Sequence, residues 1–178
     1  MGCYGDGGMC FTDSDDLAGL MNSVKIHGKG TDQYNNVRIG INGRLDAFQA
    51  AVLNAKFDIF PEEVELRDKV AQQYNQLIEA SACELVTPKT PKRYKSVWAQ
   101  YSLLAKNERH RTELQEGLKN EGIPSAIYYP KPLHMQSAFK TLKYKAYDFL
   151  ISHDFSTRIF SLPMHPYLTK TEQAKIVK

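Results

Sequence analysis

The fold prediction starts from residues 44–80, RLDAFQAAVLNAKFDIFPEEVELRDKVAQQYNQLIEA. They hold two long helical patterns joined at a proline. Over residues 44–60, apolar side chains recur at three- and four-residue spacing, which predicts a helix with one apolar stripe. The stripe consists of Leu45, Phe48, Ala51, Val52, Ala55 and Ile59. Pro61 suits the first turn of a second helix, whose acidic first turn complements the helix dipole. We therefore expect two long helices that meet at a bend.

The residues before this stretch carry little strand-forming sequence. Residues 9–12 alternate as a short strand, and residues 13–28 are predicted to form a helix with Asp13 as its N-cap and Gly28 as its stop. Residues 29–43, KGTDQYNNVRIGING, are polar, rich in Gly and Asn and without periodicity, so they predict a loop. A loop of this length exceeds the usual connection, and such loops are more often functional or interface-forming.

The residues after this stretch alternate between helical and extended patterns. A surface connection over residues 83–96 precedes a strand within residues 97–105 and a helix over residues 107–123, capped by Asn107 and stopped at Gly122. Ile127 and Tyr128 indicate a short strand that nearby prolines keep extended. The pattern ends with a helix over residues 145–160, an extended link and a terminal helix capped by Thr169. Residues 61–178 are therefore predicted to be an α+β unit with a small antiparallel sheet and flanking helices.

The composition excludes several classes of protein. Hydrophobic residues at 42% and charged residues at 24% are ordinary for a folded protein. The net charge of +3 is small and the basic residues are spread along the chain, which argues against nucleic acid as a partner. Three cysteines without a Cys-x-x-Cys spacing argue against a disulfide framework and a zinc site, and favour a cytoplasmic location. No run approaches the ~20 apolar residues of a membrane span.

Four stretches together carry a family resemblance. They are GCYGDGG at residues 2–8, GINGRLDAFQAA at 40–51, YYPKPLHMQ at 128–136 and SLPMHPYLT at 161–169. In this order they resemble the DegT/DnrJ/EryC1/StrS family of nucleotide-sugar aminotransferases, which use pyridoxal 5'-phosphate (PLP) and have the α/β fold of fold-type I transferases. The resemblance implies that residues 1–60 are the tail end of the large PLP-binding domain with a dimer-contact loop and helix. Residues 61–178 would be the small C-terminal domain.

The same resemblance places the lysine that binds PLP before Met1. In the family this lysine lies three residues ahead of the first glycine of the GxxGDGG turn, and that glycine is Gly2 here. We therefore expect no catalytic residue within the chain, and we expect that the chain alone is a fragment that does not transaminate and does not retain PLP.

Three residues of the first sixty are implied to contact ligands. Asn42 matches the family asparagine that reaches into the neighbouring subunit and binds the PLP phosphate, which implies a homodimer. Arg44 matches a residue suited to gripping the carboxylate of glutamate or of a uronic acid, since its guanidinium is planar and makes two-point contacts. Tyr34 resembles a family tyrosine near the phosphates of the nucleotide-sugar. No metal site is expected.

Three further residues are implied to face the nucleotide-sugar. Tyr129 and His134 match the family pattern HYPxPLHxQ, whereas Tyr128 replaces its histidine and can still donate to a phosphate oxygen. A lone histidine beside apolar residues is equally often a packed structural residue, so His134 stays open between these two roles.

The resemblance implies a reaction in which glutamate gives its amino group to a keto-sugar nucleotide. It is strongest to the branch that aminates a UDP-linked 3-keto hexosaminuronic acid for bacterial surface polysaccharides such as lipopolysaccharide. Two alternatives stay open: a PLP-dependent sugar dehydratase of the same family, in which histidine replaces the lysine, and a non-catalytic interaction module.

Overall fold

The computed structural model describes residue 2 and residues 4–178, so Met1 and Cys3 lie outside the described residues. The chain forms two compact units, Met1–Pro61 and Glu62–Lys178, which we describe separately as unit 1 and unit 2. Among the described residues, no helix is long and apolar enough to cross a lipid bilayer.

Unit 1 contains two helices that differ from the predicted ones at their ends. Helix α1 runs over Asp15–Lys25, and its N-cap is Ser14, whose side chain accepts a hydrogen bond from the Leu17 backbone at 3.3 Å. The prediction of Asp13 as the cap was wrong. Helix α2 runs over Ala47–Phe57, so Arg44 and the two residues after it lie outside the helix that was predicted to include them.

The strand predicted at residues 9–12 is also wrong, because these residues pair with no other described residue. A strand is stabilised only by a neighbouring strand, and unit 1 offers none. Of the residues described in unit 1, only Gly28 is buried, so no residue of α2 is buried.

The loop between α1 and α2 is tied closely to the end of α1. The His27 backbone donates to Ile41 at 2.9 Å, and the Gly43 backbone donates to Lys25 at 2.8 Å. Two glycines allow this closure: a Cβ on Gly28, which has φ +76°, would lie 1.8 Å from the Arg38 carbonyl oxygen. A Cβ on Gly40 would lie 2.1 Å from the Gly28 nitrogen, so neither position has room for a side chain.

Unit 2 is built around the long helix α3, Phe60–Ala80, whose first two residues still belong to unit 1. Strands β1, Tyr101–Leu104, and β2, Ile159–Leu162, pair antiparallel with Tyr101 opposite Leu162, which confirms the predicted small antiparallel sheet. The core lies between one face of α3 and this sheet. Its buried members are Val70, Ala71, Tyr74, Ile78, Trp98, Tyr101, Leu103, Ala105, Phe160 and Leu162.

Helices α4, α5 and α6 flank the sheet over Glu108–Asn120, Leu150–Arg158 and Lys170–Val177. The predicted caps of α4 and α6 are confirmed: Asn107 accepts from the His110 backbone at 2.9 Å, and Thr169 accepts from the Glu172 backbone at 3.3 Å. Helix α5 ends at Arg158 rather than residue 160, because Phe160 is buried in the core as part of β2.

The segment between α4 and α5 differs most from its prediction. Ile127 and Tyr128 form no strand; the only pairing nearby is a single bridge between Ala126 and Ser161 among the described residues. Prolines on both sides lack the N–H that a longer ladder needs. Three short 3-10 helices follow, at Leu133–Met135, Ser137–Leu142 and Ala146–Phe149.

One side of α3 is also attached to the end of the chain by polar contacts. Side chains and backbone groups spaced along the helix bind the link after β2 and helix α6. The hydrogen bonds join Tyr167 to Glu63 at 2.8 Å, Arg67 to the Met164 carbonyl at 3.3 Å, Tyr74 to the Pro163 carbonyl at 3.0 Å and Gln173 to the Val70 carbonyl at 2.8 Å.

Candidate functional site

In unit 1, Asn42 and Arg44 form a pair at the exit of the loop. Both side chains are exposed, and the Arg44 Nε donates a hydrogen bond of 3.1 Å to the Asn42 Oδ1. This bond engages the amide oxygen, so the two N–H donors of Asn42 remain for another partner. The terminal nitrogens of Arg44 make no hydrogen bond or ion pair with any described residue.

The backbone around Asn42 is fixed by the end of α1. Asn42 forms an isolated antiparallel bridge with Ile26, and Gly43 donates to the Lys25 carbonyl. Arg38 also donates to the Ser23 hydroxyl, which in turn donates to the Lys29 carbonyl. The Asn42 and Arg44 donors therefore extend from an anchored stretch of loop.

Tyr34 lies in the same loop with its side chain 90% exposed. Its backbone N–H donates to the Asp32 carboxylate at 2.8 Å, a local turn that fixes the backbone and leaves the phenol outward. The Tyr34 ring makes no ring contact with the rest of the described chain. The structure thus joins Asn42 and Arg44 by a hydrogen bond, and the Tyr34 side chain makes no hydrogen bond to either of them.

In unit 2, the predicted residues lie at the start of the irregular segment between α4 and α5. The exposed rings of Tyr128 and Tyr129 contact each other edge to face, with centroids 5.9 Å apart. His134 is partly buried in the first 3-10 helix, and its ring lies 4.8 Å from that of Phe149. The His134 Nε2 is buried and has no hydrogen-bond partner among the described residues.

Sequence reasoning missed Phe149 and Tyr144, which extend the cluster around His134. The Tyr144 ring contacts Phe149 edge to face at 5.2 Å. No spacing rule could connect these residues to His134, because the connecting turns are irregular. The available signal was the density of aromatic residues after the YYPKPLHMQ motif.

The resolved pKa shifts belong to structural contacts. Burial raises the pKa of Tyr74 and of Tyr101 well above the usual tyrosine value. The hydrogen bond from Arg158 lowers the pKa of the Asp154 carboxyl. In the described part of the chain, no three His, Cys, Asp or Glu side chains converge as metal ligands do.

The donor set of unit 1 fits the phosphate of PLP. Neutral amide N–H groups and the terminal nitrogens of a guanidinium bind phosphate oxygens, and here both kinds of donor are exposed and have no partner among the described residues. Nothing in the pair would repel an anion.

Comparison with known proteins decides the family. The sequence profile of the DegT/DnrJ/EryC1/StrS aminotransferase family matches residues 1–178. The chain belongs to this family. The predicted family is thus confirmed, and the aminotransferases of this family depend on PLP, as the resemblance implied.

Two curated relatives of this DegT/DnrJ/EryC1/StrS chain align over nearly all of it. It is 40% identical over 177 residues to the UDP-2-acetamido-2-deoxy-3-oxo-D-glucuronate aminotransferase of Pseudomonas aeruginosa, covering 99% of this chain and 46% of the relative. It is 38% identical to a pleiotropic regulatory protein of Geobacillus stearothermophilus, covering 100% of this chain and 47% of the relative. The chain spans about half the length of the curated relatives it matches.

A solved structure gives the same answer for the fold. A DegT/DnrJ/EryC1/StrS aminotransferase from Brucella abortus superposes with a TM-score of 0.82 at 46% identity, covering 94% of this chain and 43% of that chain. The solved relatives are fold-type I aminotransferases, which confirms the predicted fold class.

Proposed function

We propose that the chain is part of a PLP-dependent aminotransferase that moves an amino group from glutamate to a keto-sugar nucleotide. The observation that carries the proposal is the exposed Asn42–Arg44 pair, set in the GINGRLDAFQAA motif of an aminotransferase family. PLP, when bound, supplies an electron-accepting ring and a carbon that carries the amino group. The chain's own residues bind and orient the cofactor and the substrates.

Asn42 binds the PLP phosphate in this proposal. Its amide donates two N–H groups without adding charge, which suits a site that already holds cations. Arg44 holds the amide oxygen through Nε and grips a substrate carboxylate with its terminal nitrogens. Arg44 therefore has two roles: it orients Asn42, which binds the cofactor, and it recognises the substrate.

The nucleotide-sugar is bound by Tyr34, Tyr128, Tyr129 and His134. Tyrosine hydroxyls donate to phosphate oxygens, and exposed rings offer stacking surfaces to a base or a sugar. The 40% identity to the P. aeruginosa enzyme supports a UDP-linked 3-keto hexosaminuronic acid as substrate. We assign the product to surface-polysaccharide synthesis in the cytoplasm, a location that the odd number of cysteines supports.

The functional unit is a homodimer in which Asn42 serves the partner's site. Unit 1 supports this assignment, since Ile39 and Phe48 are 97% and 75% exposed beside the pair. Exposed apolar side chains of this kind mark surfaces that another protein covers.

A double-mutant cycle in the full-length gene product tests the roles of Asn42 and Arg44. Asn42→Ala should raise the dissociation constant for PLP roughly tenfold, because one or two hydrogen bonds to a charged group are lost. Arg44→Lys should mainly raise KM for the carboxylate substrate, because a lysine cannot make the two-point contact. Calorimetric titration with PLP and steady-state kinetics with glutamate measure the two effects.

The coupling between the two changes is the sharper observation. Since Arg44 orients the Asn42 amide, the losses in PLP affinity of N42A and R44A should not add in the double variant. Arg93→Ala is the matched control, an exposed arginine in the connection before β1, and it should leave both parameters unchanged. Normal PLP affinity in N42A would refute the assignment.

A further inference from the structure

The segment that follows the YYPKPLHMQ motif is strongly basic. Although lysines and arginines are spread over the whole chain, no Asp or Glu stands between Glu121 and Asp148. The same interval contains four lysines, Lys131, Lys140, Lys143 and Lys145. Local positive charge therefore accumulates there without compensation from the neighbouring sequence.

These lysines are also without acidic partners in space. All four are exposed, and none makes an ion pair with the acids that the structure describes. Elsewhere in unit 2, Lys95 pairs with Glu65 and Lys106 with Glu84. The next carboxylate along the chain, Asp148, accepts a hydrogen bond of 2.8 Å from the Lys145 backbone at the start of the third 3-10 helix.

Local backbone geometry gathers the lysines. The Lys143 N–H donates to the Lys140 carbonyl at 3.1 Å, closing the last turn of the second 3-10 helix. This bond brings the backbones of Lys140 and Lys143 next to each other across one turn. Lys143 and Lys145 stand on either side of Tyr144 in the chain.

Aromatic rings lie beside these charges. Tyr144 and His134 both contact Phe149, with centroids 5.2 and 4.8 Å away. Tyr144 and Phe149 remain 47% and 45% exposed, so part of each ring is free to contact a ligand. Rings of this kind stack on nucleobases.

We propose that Lys140, Lys143 and Lys145, together with Tyr144 and Phe149, form a binding site for a nucleoside diphosphate. The ammonium groups bind the diphosphate by charge-assisted hydrogen bonds, and the rings contact the base or ribose. We call these five residues the lysine–ring site. The inference rests on the proposed function, in that it names which part of a sugar nucleotide these residues hold.

Nucleotide binding to the full-length protein tests the site. Calorimetric titration uses UDP, uridine and inorganic pyrophosphate as separate probes. UDP should bind more tightly than either part alone, and the charge reversal Lys143→Glu/Lys145→Glu should weaken UDP binding about tenfold or more. The milder Lys143→Gln/Lys145→Gln should lose less, and circular dichroism should show both variants folded.

The matched control reverses two exposed, unpaired lysines of the connection before β1, Lys89→Glu/Lys92→Glu. It makes the same change in net charge and should alter UDP affinity less than twofold. Equal losses in the test and control variants would overturn the site, because they would indicate a general charge effect. Binding to vesicles of anionic phosphatidylglycerol in place of UDP would also overturn it.

The outcomes separate this site from the proposed function. If the protein transaminates a sugar nucleotide and the Lys143/Lys145 variants keep wild-type UDP affinity, the site is refuted and the function stands. If UDP binding depends on these lysines but no keto-sugar is aminated, the function is refuted and the site stands.

Discussion

Gly28 and Gly40 let the loop of unit 1 close on its own backbone. The sequence predicted a loop here from its Gly and Asn content and interpreted Gly28 as a helix stop. The structure gives Gly28 a second role, because a Cβ at this position would lie 1.8 Å from the Arg38 carbonyl oxygen. That approach joins residues ten apart in an irregular loop, so no periodic pattern could have predicted it.

Replacing either glycine should therefore lower the free energy of unfolding. Gly40→Ala should lower the free energy of unfolding of the chain by more than about 2 kcal/mol, because the new Cβ meets backbone that cannot move aside. Gly19→Ala makes the same chemical change in helix α1, where nothing lies within 4 Å. This control should stabilise the chain by about 0.5–1 kcal/mol. Urea unfolding of both variants should show a loss of stability for Gly40→Ala and a gain for Gly19→Ala. Equal changes in the two variants would contradict the close approach of the backbone at Gly40.

Tyr74 and Tyr101 make the core of unit 2 sensitive to alkali. Burial raises the pKa of both, so the folded state holds these protons more tightly than the unfolded chain does. Their contribution to stability is complete below the ordinary tyrosine pKa of ~10 and is lost as pH rises toward the folded values. Unfolding followed against pH should show stability falling above ~10 less steeply in Tyr101→Phe, which lacks the ionising hydroxyl. An unchanged slope would contradict this.

At the scale of elements, the helix caps were the most predictable features. Asn107 and Thr169 were identified from residue type and position alone, because a cap depends on three adjacent residues. The cap of α1 was misplaced by one residue, since Asp13 and Ser14 are both good caps and only the backbone direction separates them. The segment at residues 124–149 was not predictable, because prolines and short apolar runs do not set a period.

Helix α6 depends on its capping box. Thr169 and Glu172 satisfy each other's backbone N–H groups, and the hydrogen bond from Thr169 lowers the pKa of Glu172. Thr169→Ala should reduce the free energy of unfolding by about 1 kcal/mol, whereas Thr169→Ser keeps the hydroxyl and should cost less than about 0.5 kcal/mol. Thermal unfolding of the two variants provides the measurement. A similar loss in both would mean that the threonine methyl, rather than the cap, stabilises the helix.

At the scale of the whole molecule, the predicted α+β character and small antiparallel sheet are confirmed. Of the residues described in unit 1, only Gly28 is buried. The sequence predicted an apolar stripe along α2, yet no residue of α2 is buried and Phe48 is 75% exposed. A pattern indicates which face is apolar but cannot indicate what covers it. Likewise, the motif predicted Asn42 and Arg44 as ligand residues, while their mutual hydrogen bond depends on side-chain geometry that only the structure contains.

The polar attachments between α3 and the end of the chain limit how the protein can vary. Glu63, Arg67, Val70 and Tyr74 recur every three or four residues along one side of the helix, and each holds a fixed point between Pro163 and Gln173. Exchanging one side chain there removes one attachment. Adding or deleting a single residue would shift every later attachment out of step with the helix, so this segment tolerates changes in identity far better than changes in length.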